Sequence, residues 1–250
     1  MLISVLIIDD DEGARNILKG FLSTDDRVFI IDDLENTKGA LELIEFEEPD
    51  VVFLDINMPV EDGLEFATRL NCSSVQTKVI FTTAYHMYAY QAFGLKPFYY
   101  LTKPFGLIDI HNLIDKIVEM IDFEEKKLLD YARSEMSIQG KLKLETKNGY
   151  LFVDPKEIVF FDSVANHCEY MNTNGEFVIL YEKLKDIEPF LKYFNFIRLN
   201  RTRLANIQYV RRVDKKIKVC FSFFGGVEYE THLSRSSLKK LECMDTIKLG

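Results

Sequence analysis

Between residues 3 and 121, short unbroken apolar runs alternate with stretches in which apolar side chains recur every three or four positions. The runs Val5–Ile8, Phe29–Ile31, Val51–Leu54, Val79–Phe81 and Phe98–Leu101 predict strands buried on both faces, the signature of a parallel sheet. The intervening stretches predict amphipathic helices. Ile17, Leu18, Phe21 and Leu22 mark the first, and Ile110, Leu113, Ile114, Ile117, Val118 and Ile121 mark the last. Strands alternating with helices require right-handed crossovers that cover both faces of the sheet. The expected fold of residues 1–121 is therefore a five-stranded, doubly wound α/β domain.

After Gly140 the apolar period shortens to two. Leu142-Lys143-Leu144-Glu145 alternates, and Asn148-Gly149 predicts a hairpin turn before Leu151-Phe152-Val153. Asn174-Gly175 predicts a second turn, between Tyr170-Met171 and Phe177–Leu180. Further strands are expected at Ile158–Phe161, Ile217–Phe221 and Val227–Tyr229, with short helices only near Lys183–Leu191 and Ser236–Leu241. Residues 141–250 thus read as a mainly antiparallel β domain. Residues 122–140, highly charged from Phe123 onward, read as a linker that partly continues the preceding helix.

The 250-residue length suits two domains of ordinary size. No run of eighteen apolar residues occurs, so no membrane span is expected. The opening MLISVLIIDDDE lacks a basic start and runs into acids, as a buried strand with polar chemistry at its end would. Cys72, Cys168, Cys220 and Cys243 show neither metal nor disulfide spacing. They read as buried hydrophobes in a reducing compartment, the cytoplasm. The net charge of -9 is unevenly shared: 12 basic and 26 acidic side chains lie in residues 1–139, against 19 and 14 in the remainder. A basic module joined to an acidic one permits nucleic-acid binding by the second half.

In an open parallel sheet, functional groups gather at the carboxyl ends of the strands. Here the first strand ends in Asp9-Asp10-Asp11-Glu12, the third in Asp55 and the fourth in Thr82-Thr83, while the fifth leads into Lys103-Pro104. Carboxylates converging from Asp9, Asp10 and Asp55 are tolerable only when protonated or beside a cation. An all-oxygen donor set favours a hard divalent ion such as magnesium. That leaves one carboxylate as nucleophile toward a phosphoryl group, with Lys103 as a second positive charge and Thr83 as a hydroxyl donor.

The segments LIIDDDEGAR, FLDINMPVEDG, IFTTAY and YYLTKPF together resemble the response-regulator receiver family, a flavodoxin-like fold, over about residues 1–121. The resemblance implies Asp55 as phosphoacceptor from a sensor histidine kinase and Asp9 and Asp10 as the acidic pair. It assigns Mg2+ to Asp10, Asp55 and the backbone carbonyl of Asn57. Thr83 and Tyr100 become switch residues, and Lys103 the phosphoryl contact. Asp11 stands where the family more often has glutamate. The implied output is a population shift in which Thr83 is drawn inward and Tyr100 rotates, rather than an enzymatic reaction in the usual sense.

The second half offers little helix to enter a major groove, so DNA contact would come from loops or strands. Polar and basic side chains cluster at Asn166-His167, at Arg198 to Arg203 and at Ser234-Arg235, types that pair with base edges and phosphates. The segments IVFFDSVANHCEYM, FIRLNRTRLANIQYVRRV and THLSRSSLKKL resemble LytTR-type DNA-binding domains, over about residues 141–245. By position this implies DNA contacts at Asn166, His167, Asn200, Arg201 and Arg235, a structural Asn206, and core roles for Leu199 and Leu204. Asn200 replaces the family's usual histidine, a change that suits backbone contact and leaves the base preference unassigned. Arg211-Arg212 and Lys215-Lys216 read as a solvated hairpin end, and His86, His111 and His232 as structural. The whole chain is expected to bind promoter DNA, as a homodimer when phosphorylated. An alternative is a phospho-controlled adaptor whose second domain binds a protein, given the overall acidity and the aromatic side chains Phe221, Phe223 and Phe224.

Overall fold

The computed structural model describes residues 2–59, 61–73, 75–84, 97–131, 137–138, 140–165, 167–191 and 194–244. They fall into two compact units that divide between Val118 and Glu119.

The first unit is built on a fully parallel sheet in the order β2-β1-β3-β4-β5. Its strands are β1 (Ile3–Ile8), β2 (Val28–Leu34), β3 (Val51–Asp55), β4 (Lys78–Thr83) and β5 (Tyr99–Thr102). All residues of the central β1 and β3 are buried, as continuous apolar runs require. The edge strand β2 is mostly half-buried and carries Asp32 and Asp33. Helices α1 (Glu12–Leu22), α2 (Ala40–Glu47) and α3 (Gly63–Cys72) lie between strands, and α4 (Leu107–Tyr131) follows β5. Helix α1 starts where the Asp11 carboxylate accepts hydrogen bonds from the backbone N–H groups of Gly13 and Ala14 at 2.7 and 3.2 Å. It buries Leu18 and Leu22, whereas Ile17 is 54% exposed. On α4, Ile110, Leu113, Ile114 and Ile117 form the buried stripe. This helix runs without a break through the charged segment to Tyr131, a stretch rich in good helix formers.

The second unit contains three antiparallel sheets. The largest has the order β11-β10-β9-β13-β12, from β9 (Ile158–Val164), β10 (His167–Asn172), β11 (Phe177–Leu180), β12 (Phe196–Arg198) and β13 (Arg203–Asn206). One three-stranded sheet comprises β14 (Val210–Asp214), β15 (Val219–Phe224) and β16 (Val227–His232); the other comprises β6 (Ser137–Ile138), β7 (Lys141–Thr146) and β8 (Gly149–Val153). Helices α5 (Leu184–Leu191) and α6 (Arg235–Glu242) complete it. The central sheet has a core on each face. Phe161, Tyr170, Leu180 and Leu204 pack with α5 on one side, and Phe160, Met171, Leu199 and Ala205 with β15 and α6 on the other. Leu199 and Leu204 are buried, and Asn206 is a buried polar joint. Its Nδ2 donates to the Pro155 and Ile158 carbonyls at 3.2 and 3.0 Å, and its Oδ1 accepts from the Gln208 N–H at 3.2 Å.

Several sequence expectations are corrected. The β7–β8 pairing places Thr146 opposite Gly149, so Lys147-Asn148 form the turn and Gly149, at φ 131°, opens β8. Ile217 is 57% exposed in the turn before β15 rather than in that strand. Strands β12, β13 and β14 were not foreseen, because they are short and arginine-rich and their apolar alternation is broken. Cys72 and Cys243 are exposed at helix ends; Cys168 and Cys220 are buried, as expected.

Burial pushes the Cys168 thiol up to about 12 and the Cys220 thiol up to about 11. A thiol that reacts only as thiolate is doubly protected there. A maleimide at neutral pH is therefore expected to label Cys72 and Cys243 in the native protein, and all four after denaturation. Rapid native labelling of Cys168 by peptide mapping would contradict this core.

Candidate functional site

The strand order puts β1 beside β3 at the centre of the parallel sheet, with the chain leaving them toward opposite edges. A crevice opens at such a reversal, at the carboxyl ends of the strands. Asp9 follows β1 and Asp55 ends β3, so the sheet brings together two carboxylates remote in sequence; both residues are only 4% exposed. Asp10 is exposed at the rim, and carboxylate oxygens of Asp9, Asp10 and Asp55 all lie within 4.8 Å of one another. Lys103 enters because its N–H donates to the Thr83 carbonyl at 2.7 Å, extending the β4–β5 ladder by one residue. Its ammonium donates to Asp9 Oδ2 and Asp55 Oδ1, each at 2.7 Å.

Charge in this crevice is finely opposed. Burial pushes the Asp55 carboxyl above its ordinary range, and the Asp9 charge adds to this. The Lys103 ammonium and the N–H of Asn57 pull the other way without cancelling it. Burial would lower the Lys103 ammonium, but its hydrogen bonds to Asp55 and Asp9 outweigh that and raise it. One ammonium among three carboxylates leaves a site short of positive charge, and its donors are all oxygen. This set suits a small divalent cation.

Thr83 ends β4 and is buried; Asn57 is exposed in the loop after Asp55. Tyr100 sits on β5 opposite Phe81, with ring centroids 5.6 Å apart. Its hydroxyl is buried with no hydrogen-bond partner among the described residues, and burial raises its pKa.

In the second unit, three segments carry the expected DNA contacts. His167 begins β10, 3.9 Å from the Glu169 carboxylate. Arg201 is exposed between β12 and β13, and Arg235 is the first residue of α6 after the capping Ser234. Asn166 and His86 lie outside the described residues. Pairing of β13 with β9 joins the first two segments, and the Ser234 N–H donates to the Leu199 carbonyl at 3.1 Å to bring up the third. Asn200 lies at this junction with its amide engaged inside the protein: Oδ1 accepts from the N–H groups of Thr202 and Arg203, each at 2.9 Å, and Nδ2 donates to the His232 carbonyl at 2.8 Å. Arg212 stacks on Phe221 with its guanidinium 3.9 Å from the ring centre, and Lys215 pairs with Glu242 at 3.2 Å. His111 meets Thr24 Oγ1 at 2.9 Å.

Comparison with known proteins matches residues 5–115 to the response regulator receiver domain and residues 148–244 to the LytTr DNA-binding domain. The chain is a response regulator of the receiver–LytTR type. The sensory transduction protein LytT of Bacillus subtilis is 26% identical over 241 residues, covering 96% of this chain and 98% of that protein. The sensory transduction proteins LytR of Staphylococcus epidermidis and Staphylococcus haemolyticus are 27% and 29% identical, each covering 94% of this chain and 95% of the relative. The chain is thus a phospho-regulated, DNA-binding response regulator, a class defined by binding and switching rather than by an enzymatic output. The adaptor alternative is not favoured: of its aromatic side chains, Phe221 is buried, Phe224 packs on the core and only Phe223 is exposed. No described helix is long and apolar enough to cross a membrane.

The regulator's crevice also depends on residues that the sequence did not single out. Arg15 donates to the Asp9 carbonyl at 2.6 Å and pairs with Asp33 at 3.1 Å, which fixes the loop bearing Asp9 and Asp10. Gly63, the first residue of α3, donates its N–H to the Ile56 carbonyl at 2.9 Å, and a Cβ there would stand 2.1 Å from the Asp55 carbonyl oxygen. Its only sequence signal is an Asp-Gly pair, which reads as a turn. Gly63→Ala is expected to displace the Asp55 backbone, destabilising the protein by ~1–3 kcal/mol as overpacking does and slowing phosphorylation. A urea midpoint and labelling rate equal to wild type would show that the loop yields freely.

Proposed function

We propose that Asp55 accepts a phosphoryl group from the phosphohistidine of a sensor kinase and that phosphorylation controls binding of promoter DNA by the second domain. The observation that carries this reading is the Asp9–Lys103–Asp55 arrangement, two buried carboxylates sharing one ammonium at 2.7 Å each. In the transfer, an Asp55 carboxylate oxygen forms the new P–O bond while the P–N bond to the donor imidazole breaks. Lys103 would hold a phosphoryl oxygen, and the Thr83 hydroxyl would bond another as Tyr100 turns. Asp10, Asp55 and the Asn57 carbonyl would hold Mg2+, with Asp9 completing the acidic pocket. When bound, this ion neutralises charge on the incoming phosphoryl group.

His167, Arg201 and Arg235, together with Asn166 beside His167 in the sequence, are the proposed DNA contacts. Residues 1–121 form the receiver and 141–250 the DNA-binding domain, joined by 122–140. Pairing of two receivers would present two DNA-binding domains to adjacent half-sites, raising affinity through effective concentration. The proposed compartment is the cytoplasm, where kinase domains and promoters are both accessible.

Two measurements test this. The Asp55 carboxyl, raised by burial, makes the folded state bind more protons than the unfolded one. Stability therefore falls as pH rises from the ordinary carboxylate range through the raised Asp55 value. Without magnesium at pH 7, Asp55→Asn is expected to melt at a higher temperature than wild type and to accept no phosphoryl group. Magnesium at 100 times its dissociation constant should stabilise wild type by ~2.7 kcal/mol and the variant less. Equal magnesium stabilisation of the two would place the ion elsewhere. For the output, selection from a random duplex library, with and without a phosphoryl mimic, should enrich a repeated motif whose spacing reports the paired state. Arg201→Ala should weaken binding and reduce the slope of log affinity against log salt by ~0.9, the value of one phosphate contact. Failure of folded wild type to enrich any sequence in either state would refute the DNA-binding output.

A further inference from the structure

Read as sequence, the run from Arg198 to Arg203 offers three arginines to DNA. The structure divides them. Arg198 Nη1 is 2.9 Å from Glu188 Oε2, and its Nη2 donates to the Arg201 carbonyl at 2.6 Å. The Arg203 guanidinium turns inward, its Nε and Nη2 meeting Asp162 Oδ1 and Oδ2 at 2.7 and 2.5 Å. Its Nη1 reaches Thr231 Oγ1 at 3.0 Å, and its carbon lies 4.0 Å from the centre of the Phe160 ring. The Arg203 and Asp162 side chains are only 20% and 15% exposed, so water screens this two-pronged pair little. Of the three arginines, only Arg201 is exposed.

These contacts join the three segments that carry the proposed DNA contacts. Asp162 lies on β9 just before the turn to His167, Arg203 begins β13 after Arg201, and Thr231 lies on β16 shortly before Arg235. Asn200 makes a second tie from the loop to the His232 carbonyl, while the Ser163 N–H donates to the Thr202 carbonyl at 2.7 Å. Asp162, Ser163, Asn200, Thr202, Arg203 and His232 all border one open recess of about 310 Å³ at this junction.

We propose that Asn200 and Arg203 are positioning residues that clasp the three DNA-reading segments together and set sequence specificity without touching DNA. The inference rests on the DNA-binding reading above and assigns to Asn200 a different role from the contact its sequence position implied. The physical reason is tolerance. Contacts to base edges need side chains held within ~0.5 Å of the productive geometry, whereas attraction to phosphate falls off slowly with distance. Loosening the clasp should therefore erode discrimination between sequences and leave the number of phosphate contacts unchanged.

The test uses the full chain with a phosphoryl mimic and two probes: the duplex enriched from the random library, and a duplex of equal length with that sequence scrambled. Affinity for both is measured at several salt concentrations for wild type, Asn200→Ala, Arg203→Met and, for comparison, Arg201→Ala. The two clasp variants are expected to lose about tenfold or more in the ratio of the two affinities, the scale of one good base contact, with the wild-type salt slope retained. General destabilisation would lower both affinities together and leave the ratio intact, so it cannot imitate this result. If either substitution disrupts folding, Thr231→Val and Asp162→Asn loosen the same clasp more gently and are read by the same ratio. A salt slope reduced by ~0.9 in Asn200→Ala or Arg203→Met would show direct phosphate contact and overturn the proposal. So would an unchanged ratio in folded variants. If wild type itself enriches no duplex, the DNA-binding reading fails first, which is distinct from a clasp that proves idle.

Discussion

The receiver half is organised by an electrostatic constraint. Asp9 and Asp55 are buried side by side, and a second buried anion at that distance is costly unless a cation lies between them. Lys103 meets that requirement from 94 residues away from one partner and 48 from the other. The rest of the domain reads as a device for holding these groups in place. A doubly wound sheet delivers strand ends to one edge, the β4–β5 ladder carries Lys103 inward, Arg15 fixes the acidic loop, and Gly63 lets α3 begin against the Asp55 backbone. A single ammonium among three carboxylates is not neutral. The residual negative charge prepares the crevice for a cation and makes its charge state a natural input for a switch.

The output half follows a different logic. The segments proposed to read DNA are strand ends and a helix start. The central sheet, with an apolar core on each face, supplies a stiff base. Polar ties then restrain what emerges from it. A basic run can therefore serve two purposes within six residues: one arginine faces outward, and its neighbours hold the shape of the loop from within.

Much of this protein was legible in its residues. Unbroken apolar runs separated by helical periodicity gave the parallel sheet, because strands buried on both faces cannot alternate with polar residues. The ordered set Asp9-Asp10, Asp55, Thr83 and Lys103 marked the crevice, since polar groups directly after buried strands must gather at one sheet edge. The alternating pattern beyond Gly140 gave the β class of the second half, and Leu199, Leu204 and Asn206 are buried as the LytTR resemblance implied.

What the sequence left open depended on partners distant along the chain. Strands β12 to β14 were invisible because their stability comes from pairing across the sheet and not from a local period. A glycine that must yield space to a carbonyl looks like any Asp-Gly turn until both backbones are placed. Arg201 and Arg203 are alike as letters, yet only the fold sets Asp162, Thr231 and Phe160 around one of them. The sequence by itself determined which chemical groups are present and which segments are buried. The tertiary structure alone decided which charges meet, because the direction of a long polar side chain is set by whichever opposite charge the fold brings within reach.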